Sequence, residues 1–393
     1  MRFLFVANTP RDPNSGASGC DVATIEALRS LGHEVDEVWG SDIPHRIRHN
    51  NLYQLLELPR RFANAVDQRC KHADYDIIQV NECHAWMAAR EHRKLQRRGL
   101  FINRSHGWEP AGRRALDEWC GGLGDESPRP LYRRLATRAL TPLLERHNRL
   151  VVRYSDGIVL GSEHDRDWIA ARAPQYKDKL LVLPLGVPDA FRNHPPEPMH
   201  VARSCKLLHV GQFHPVKGVD VVGAVATAVL RRRPDASFTW VCDGRHHSAA
   251  RALIAPDVQQ RVQFLDWMPR QDLLAIYDRH GIFLFPSYFE AFGMSFLEAM
   301  CRGLCVLATR VGGTTRLICD GGNGYLFDRA SAEAMAQQAL ELMRNPVLAS
   351  QVSANARATA LGYSWRATAK RLLEFCLSLQ VKADRNHRVR HLA

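Results

Sequence analysis

No run of about 18 consecutive apolar residues occurs in this chain, so a conventional membrane-spanning helix is excluded. The opening MRFLFVANTPRD has one arginine and an apolar run that stops at Asn8. That is too short for the hydrophobic region of a signal peptide and reads as a first β-strand. No CxxC pair occurs among the ten cysteines, Cys20, Cys70, Cys83, Cys120, Cys205, Cys242, Cys301, Cys305, Cys319 and Cys376. Scattered thiols in a chain this long indicate a reduced, cytosolic setting and not a disulfide framework. Cys301 and Cys305 lie four apart with no second ligand pair, and read as buried core thiols. HExxH and Walker loops are missing, and the His246-His247 pair stands alone. Low-complexity segments and short repeats are also absent.

Acidic residues are in short supply. Forty-one Asp and Glu against 53 Lys and Arg leave a net charge of +12. The basic residues cluster at 90–99, 129–153, 231–233 and 382–393. Three partners fit such clusters: an anionic small ligand, the anionic face of a membrane, or nucleic acid. Solvated helix faces account for much of the charge without any partner.

What remains is the composition of an ordinary globular protein, 46% hydrophobic and 24% charged. The 393 residues are enough for two domains of roughly 200 residues each. Short β-type runs alternate with helical patterns throughout. Strands are expected at 2–8, 33–39, 76–81, 100–106, 157–162 and 180–186, then at 206–211, 237–244, 262–267, 281–287 and 305–313. Helical patterns at 20–31, 219–232, 270–279, 294–302 and 330–344 separate them. Such alternation implies parallel sheets with helices on both faces. The strands are too many for one sheet, so the expected fold is α/β with two doubly wound, Rossmann-like domains facing an inter-domain cleft. The Pro-rich, polar stretch NHPPEPMHVARS (193–204) marks the seam.

The window FEAFGMSFLEAM (289–300) holds two carboxylates, Glu290 and Glu298, among apolar and small residues. A buried carboxylate is costly unless something pairs with it. The expected strand 281–287 ends just before, and Gly293 allows close approach to a ligand at the start of a helix. The first amides of that helix are unpaired donors at the positive end of its dipole, suited to phosphate. Glu290 would lie on the loop and Glu298 about one turn inside the helix, both toward the cleft. Phe292, Phe296, Leu297 and Met300 would pack inward. A carboxylate suits a vicinal diol of a sugar or ribose. On the residues alone, that reading and its alternative, a solvated loop glutamate plus a helix glutamate paired with an arginine, stand level. The DYD (74–76) and DRD (165–167) triplets read as turn and cap acids, not as metal ligands.

The stretch PSYFEAFGMSFLEAMCRGLCVLATRVGG (286–313), continued by GGNGYLF (321–327), resembles the signature of the retaining glycosyltransferases of family 4, the glycosyl transferases group 1, which have the GT-B fold. The resemblance implies an acceptor-binding domain at 1–200 and a nucleotide-sugar-binding domain at 201–363. A terminal helix crossing back, with a basic tail, would occupy 364–393. It implies that Glu290 holds hydroxyls of the donor sugar, that the backbone at Phe292, Gly293 and Met294 cradles phosphate and sugar, and that Glu298 binds the nucleotide ribose. HVGQFHPVKGVD (209–220) resembles the diphosphate loop, with Lys217 matching the family lysine and Gln212 standing where an arginine is usual. Gly16, in NTPRDPNSGASGCDVATIEALRSLGHEV (8–35), matches the glycine that lets the backbone approach the diphosphate. His106, in INRSHGWE (102–109), matches the histidine near the transferred sugar. Cys305 replaces a usual proline, Arg316 a common acid and Leu185 a common asparagine.

The activity so implied is transfer of a hexosyl unit from a UDP- or GDP-linked sugar to a hydroxyl of a glycan or lipid-linked acceptor, with retention at the anomeric carbon. Neither a cofactor nor a metal is expected, nor nucleic acid as a partner. The protein would be cytoplasmic, with peripheral contact to an anionic membrane. Two alternatives keep their place: an epimerase or phosphorylase on the same fold, and a non-enzymatic binder of an anionic polymer.

Overall fold

Runs rich in Val, Ile, Leu and Phe become the strands. In the computed structural model, which describes residues 1–119 and 131–392, they form two six-stranded parallel sheets. The first sheet contains β1 (Arg2–Val6), β2 (Glu34–Val38), β3 (Ile77–Asn81), β4 (Leu100–Arg104), β5 (Gly157–Leu160) and β6 (Leu180–Val182). Its order is β2-β1-β3-β4-β5-β6. The second contains β7 (Lys206–Val210), β8 (Ser237–Val241), β9 (Val262–Leu265), β10 (Ile282–Phe285), β11 (Cys305–Thr309) and β12 (Tyr325–Phe327). Its order is β12-β11-β10-β7-β8-β9. β3, β4, β10 and β11 are buried along their whole length. Helices therefore cover both faces, as all-parallel sheets require.

In each sheet the chain lays down strands on one side of the first strand and then on the other. The order reverses between β1 and β3, and between β7 and β10. The loops leaving the carboxyl ends of those strands flank a crevice, where open α/β sheets bind ligands.

Two compact units follow these sheets. The first comprises Met1–Pro110, Ser127–Pro184 and Trp365–Ala393; the second comprises Ala111–Glu126 and Leu185–Ser364. The chain thus joins the second unit at Leu185, ahead of the Pro-rich stretch. Two buried arginines fasten that stretch. Arg203 donates to the carbonyls of Glu197, His280 (2.8 Å) and Arg302 (2.6 Å). Arg302 donates to the carbonyls of Phe191 (2.8 Å) and His194 (2.6 Å) and grips both Asp278 oxygens at 2.7 and 2.8 Å. A buried guanidinium persists only when its donors are met in this way.

The terminal helix Trp365–Leu392 belongs to the first unit. Thr368 Oγ1 donates to the Pro184 carbonyl at 2.9 Å. Gly157, at the start of β5, lets the helix sit so close that a Cβ there would lie 2.7 Å from Leu379 and 2.9 Å from Phe375. The core of the second unit gathers around Trp240, Phe238, Ile282, Leu284 and Met335, each at most 1% exposed. Each such large side chain contributes about 1.5–3 kcal/mol by leaving water.

The eleven strands expected from sequence all form, usually shorter than drawn. β12 was missed: only three residues pair with β11, too few for a pattern to show. The nine described cysteines are unpaired, and Cys120 lies outside the described residues. Burial pushes the Cys301 thiol up to about 11 and Cys305 up to about 12, as befits inert core thiols.

Candidate functional site

In the second unit the site grows from the switch between β7 and β10. After β7 the chain makes a short turn, Pro215–Lys217, and Gly218 closes it at φ 66. Only glycine fits there: a Cβ would fall 2.1 Å from the Pro286 carbonyl oxygen. The close seat, together with a bond from the Tyr288 amide to the Val216 carbonyl (2.8 Å), clamps the β7 turn to the segment after β10. The result is an ion pair: Lys217 Nζ lies 2.5 Å from Glu290 Oε2. Both side chains keep an exposed edge, 23% and 13%.

The segment then turns at Gly293, whose φ of 95 and tight seat against Phe285 and Phe296 admit no side chain. The helix Met294–Cys301 starts at once. Phe292, Phe296, Leu297 and Met300 are buried at 2% or less, as the pattern predicts. The Phe292 carbonyl accepts from the Gly313 amide at 2.9 Å, so the loop after β11 supports the turn. Met294 and Ser295 stay partly exposed at the helix start. Helix geometry leaves their amides without intrahelical partners, aimed out of the positive end of the dipole. Lys217 is therefore paired with a glutamate on the segment that leads into this helix start. Gln212 is exposed on the same loop as Lys217 but has no polar contact among the described residues.

Glu298 differs from expectation. It is only 3% exposed and has partners inside the unit. Arg270 Nε lies 3.0 Å from Oε1, and the Tyr277 hydroxyl donates to Oε2 at 3.2 Å. Glu298 is thus a helix glutamate with an arginine beside it. Burial pushes the Glu298 carboxyl up, against the opposing pull of Arg270 and Tyr277. Under the β7 loop lies a buried neutral imidazole, His209. Its Nδ1 contacts the Leu284 carbonyl at 2.9 Å, and burial lowers its pKa to about 4.

The first unit builds a second polar cluster beside its own switch point. Gly16 precedes the helix Ala17–Ser30 at an ordinary φ of −65. A Cβ built there meets nothing within 4 Å, so the space above it is open. One turn into the helix, Asp21 is fully buried. His106, after β4, places Nε2 3.0 and 3.1 Å from the two Asp21 oxygens. A carboxylate only accepts, so Nε2 carries the proton. Asn81 Nδ2 donates to Asp21 Oδ2 at 2.6 Å, and Arg104 Nη1 stands 3.4 Å from Oδ1. Arg104 also donates to Thr24 Oγ1 at 3.0 Å. Burial pushes the Asp21 carboxyl up, but His106, Arg104 and Asn81 outweigh it and the net shift is down. Glu82, the first residue after β3, stands at φ 61 and accepts the His106 amide at 3.2 Å. A non-glycine residue there is strained, and such strain is concentrated at functional sites.

Asp21, Asn81 and Arg104 were not singled out from sequence. The signal was present in one case: an aspartate interrupts the otherwise apolar start of CDVATIEALRSL (20–31). Of the two acidic triplets, DRD gives Asp165, whose amide is capped by Ser162 Oγ at 3.1 Å. Its buried carboxyl, raised to about 6 by desolvation, accepts the Trp108 amide at 3.4 Å. DYD gives Asp76, which accepts the Arg2 amide at 2.7 Å. Among the described residues, no group of three or more His, Cys, Asp or Glu is placed to hold a metal ion.

Known proteins resemble both the sequence and the fold. Residues 204–345 match the family described as Glycosyl transferases group 1. A D-inositol 3-phosphate glycosyltransferase of Corynebacterium glutamicum is 32% identical over 174 residues, 42% of this chain and 41% of that protein. The enzyme of the same name from Corynebacterium urealyticum is 30% identical over 192 residues, 47% of this chain and 45% of that protein. The alignments thus span less than half the length of these relatives. Among solved structures, a sucrose-phosphate synthase from Thermosynechococcus elongatus superposes with a TM-score of 0.72 at 18% identity, covering 98% of this chain and 100% of the other. Anabaena HepE, solved in complex with UDP-glucose, gives a TM-score of 0.66 at 18% identity, covering 96% of this chain and 100% of its own. The fold they share is GT-B.

Proposed function

We propose, from the match of residues 204–345 to the family described as Glycosyl transferases group 1, that the chain moves a hexosyl unit from a nucleoside diphosphate sugar, UDP- or GDP-linked, to a hydroxyl of a glycan or lipid-linked acceptor, with retention. One observation carries the proposal: Lys217 and Glu290 meet at the switch point of the second sheet, beside the exposed start of the Met294 helix. That arrangement offers a carboxylate for sugar hydroxyls next to a cation and free amides for a diphosphate.

In the reaction the bond from the anomeric carbon to the diphosphate oxygen breaks. The pair of electrons leaves with the diphosphate, and a new bond forms to the acceptor oxygen. The acceptor proton goes to the departing phosphate, and no protein nucleophile is invoked. Lys217 and the amides at Gly293–Met294 stabilise the charge that develops on the leaving group. On this reading the neutralisation is done by protein groups and requires no metal. Lys217 and Glu290 neutralise each other before the donor binds. Donor binding would turn the lysine to the diphosphate and the glutamate to the sugar. His106, held by Asp21, would reach the transferred sugar, and the open space at Gly16 would receive the diphosphate.

A panel of UDP- and GDP-sugars tests this. At least one raises the thermal midpoint by several degrees and is consumed with an added acceptor, with or without EDTA. Donor turnover to an isomer without any acceptor would show an epimerase instead. No protection by any sugar nucleotide would remove the proposal.

The proposal extends to where the acceptor lies. No helix among the described residues is long and apolar enough to cross a membrane. The helices Trp86–Lys94 and Leu131–Tyr154 are joined by a bond from Arg93 to the Arg153 carbonyl at 3.5 Å. Together they expose Arg90, Arg93, Lys94, Arg146, Arg149 and Arg153. A lipid-linked acceptor in an anionic leaflet fits such a face. The protein is expected to sediment with phosphatidylserine vesicles at low salt and to be released at about 0.5 M salt, when the Debye length shrinks to a few ångströms. Absence of sedimentation at low salt would limit the acceptor to soluble glycans.

A further inference from the structure

The helix Glu109–Trp119 lies outside residues 204–345, yet from Ala111 on it belongs to the second unit. Its role there concerns Tyr288, two residues before Glu290. Tyr288 is 4% exposed and is held by every polar group it has. Its amide donates to the Val216 carbonyl at 2.8 Å, its carbonyl accepts from Arg329 Nε at 2.7 Å, and its hydroxyl donates to Asp220 Oδ2 at 2.7 Å. Val216 precedes Lys217, so Tyr288 is the tie between the lysine turn and the glutamate loop.

The remaining face of the tyrosine ring is covered from the far part of the chain. Trp119 stacks on it, with centroids 6.3 Å apart and planes within 13°. The Arg329 guanidinium lies 5.6 Å from the centre of the indole. Offset stacking and a cation over an aromatic face each add to what simple burial contributes. At the other end of the same helix, Gly112 faces Phe289, and a Cβ there would stand 3.0 Å from its ring. Leu116, between them, packs on the core of the unit. Thus one helix touches both residues immediately before Glu290.

We propose that this helix is a strap on the donor loop and that Trp119 is a positioning residue, acting through Tyr288 to fix Glu290 against Lys217. The inference rests on the glycosyltransferase reading for its kinetic consequence but not for its structural one. Trp119 is 38% exposed, so its truncation should leave the fold intact.

The test uses the full chain with Trp119→Ala, Trp119→Phe and Gly112→Val. Hydrogen exchange is followed in the peptide covering 286–293, and kcat and KM are measured for the donor. In Trp119→Ala that segment is expected to exchange about tenfold faster, with donor KM raised about fivefold or more and the thermal midpoint within a few degrees of the parent. Trp119→Phe, which can still stack, restores both to within about twofold. Gly112→Val, which pushes Phe289 from the other end, disturbs the same segment with Trp119 in place. Unchanged exchange and unchanged KM in Trp119→Ala overturn the strap. Equal loss in the Ala and Phe variants overturns the stacking role. Faster exchange at 286–293 in a protein that transfers no sugar upholds the strap and removes the transferase reading.

Discussion

Glu290→Gln is expected to lower transfer by about 10²- to 10³-fold, the usual cost of removing one group that acts on the transition state. The same change is expected to tighten inhibition by free nucleoside diphosphate. Both follow from the pair at 2.5 Å. Before the donor arrives, Lys217 is committed to Glu290, and a diphosphate has to compete with that carboxylate. An amide keeps the shape but gives up the charge, so the lysine is freed for the anion while the sugar hydroxyls keep only one neutral acceptor oxygen. The thermal midpoint should hardly move. Both side chains reach solvent, and such pairs are worth about 0–1 kcal/mol. Steady-state kinetics with product inhibition check both signs in one experiment. Full activity in Glu290→Gln would sink the site assignment. Reduced activity with weaker nucleotide inhibition would place the lysine elsewhere than on the diphosphate.

The fold was readable because parallel strands are buried on both faces and so appear as plain apolar runs, GIVL and IFLF among them. The turn at Gly293 and the buried face of its helix were readable for the same local reason. What could not be read were partnerships across the chain. Glu290 and Lys217 are 73 positions apart, and His106 and Asp21 are 85 apart. No periodicity connects such residues; only the strand order does. Glu298 shows the cost. Its window indicates that a carboxylate is buried, yet nothing local identifies Arg270 and Tyr277 as the groups that meet it. The Glu109–Trp119 helix is the extreme case. No helix is expected there from the sequence reading, and only the structure shows one lying on the loop of Glu290.

Asp21→Asn should act on stability and activity together. Asp21 is 0% exposed and pairs with the buried Arg104, whose side chain is 3% exposed. Losing that charge leaves a guanidinium and the His106 N–H without their anion. Breaking a buried pair in this way costs about 3–5 kcal/mol. The amide makes matters worse on one side, because its own NH₂ would face the donors of Asn81, Arg104 or His106. For a unit of this size about 1 kcal/mol shifts the midpoint by roughly 2–4 °C, so a drop on the order of 10 °C is expected at neutral pH. The dependence on pH has a fixed direction. The Asp21 carboxyl is lowered in the folded chain, so its stabilisation is complete above the unfolded value of about 3.9 and fades as pH falls through the folded one. The gap between the parent and Asp21→Asn should therefore be widest at neutral pH and shrink below about pH 4. On activity, an unanchored His106 can rotate away from its working position, so kcat should fall more than affinity for nucleoside diphosphate, which depends on Lys217 and the Met294 helix. Thermal melts from pH 3 to 8 with matched kinetics decide it. A gap that does not vary with pH would mean that the Asp21 charge is not what holds the cluster, and nucleotide affinity lost in step with kcat would show that Asp21 does not act through His106.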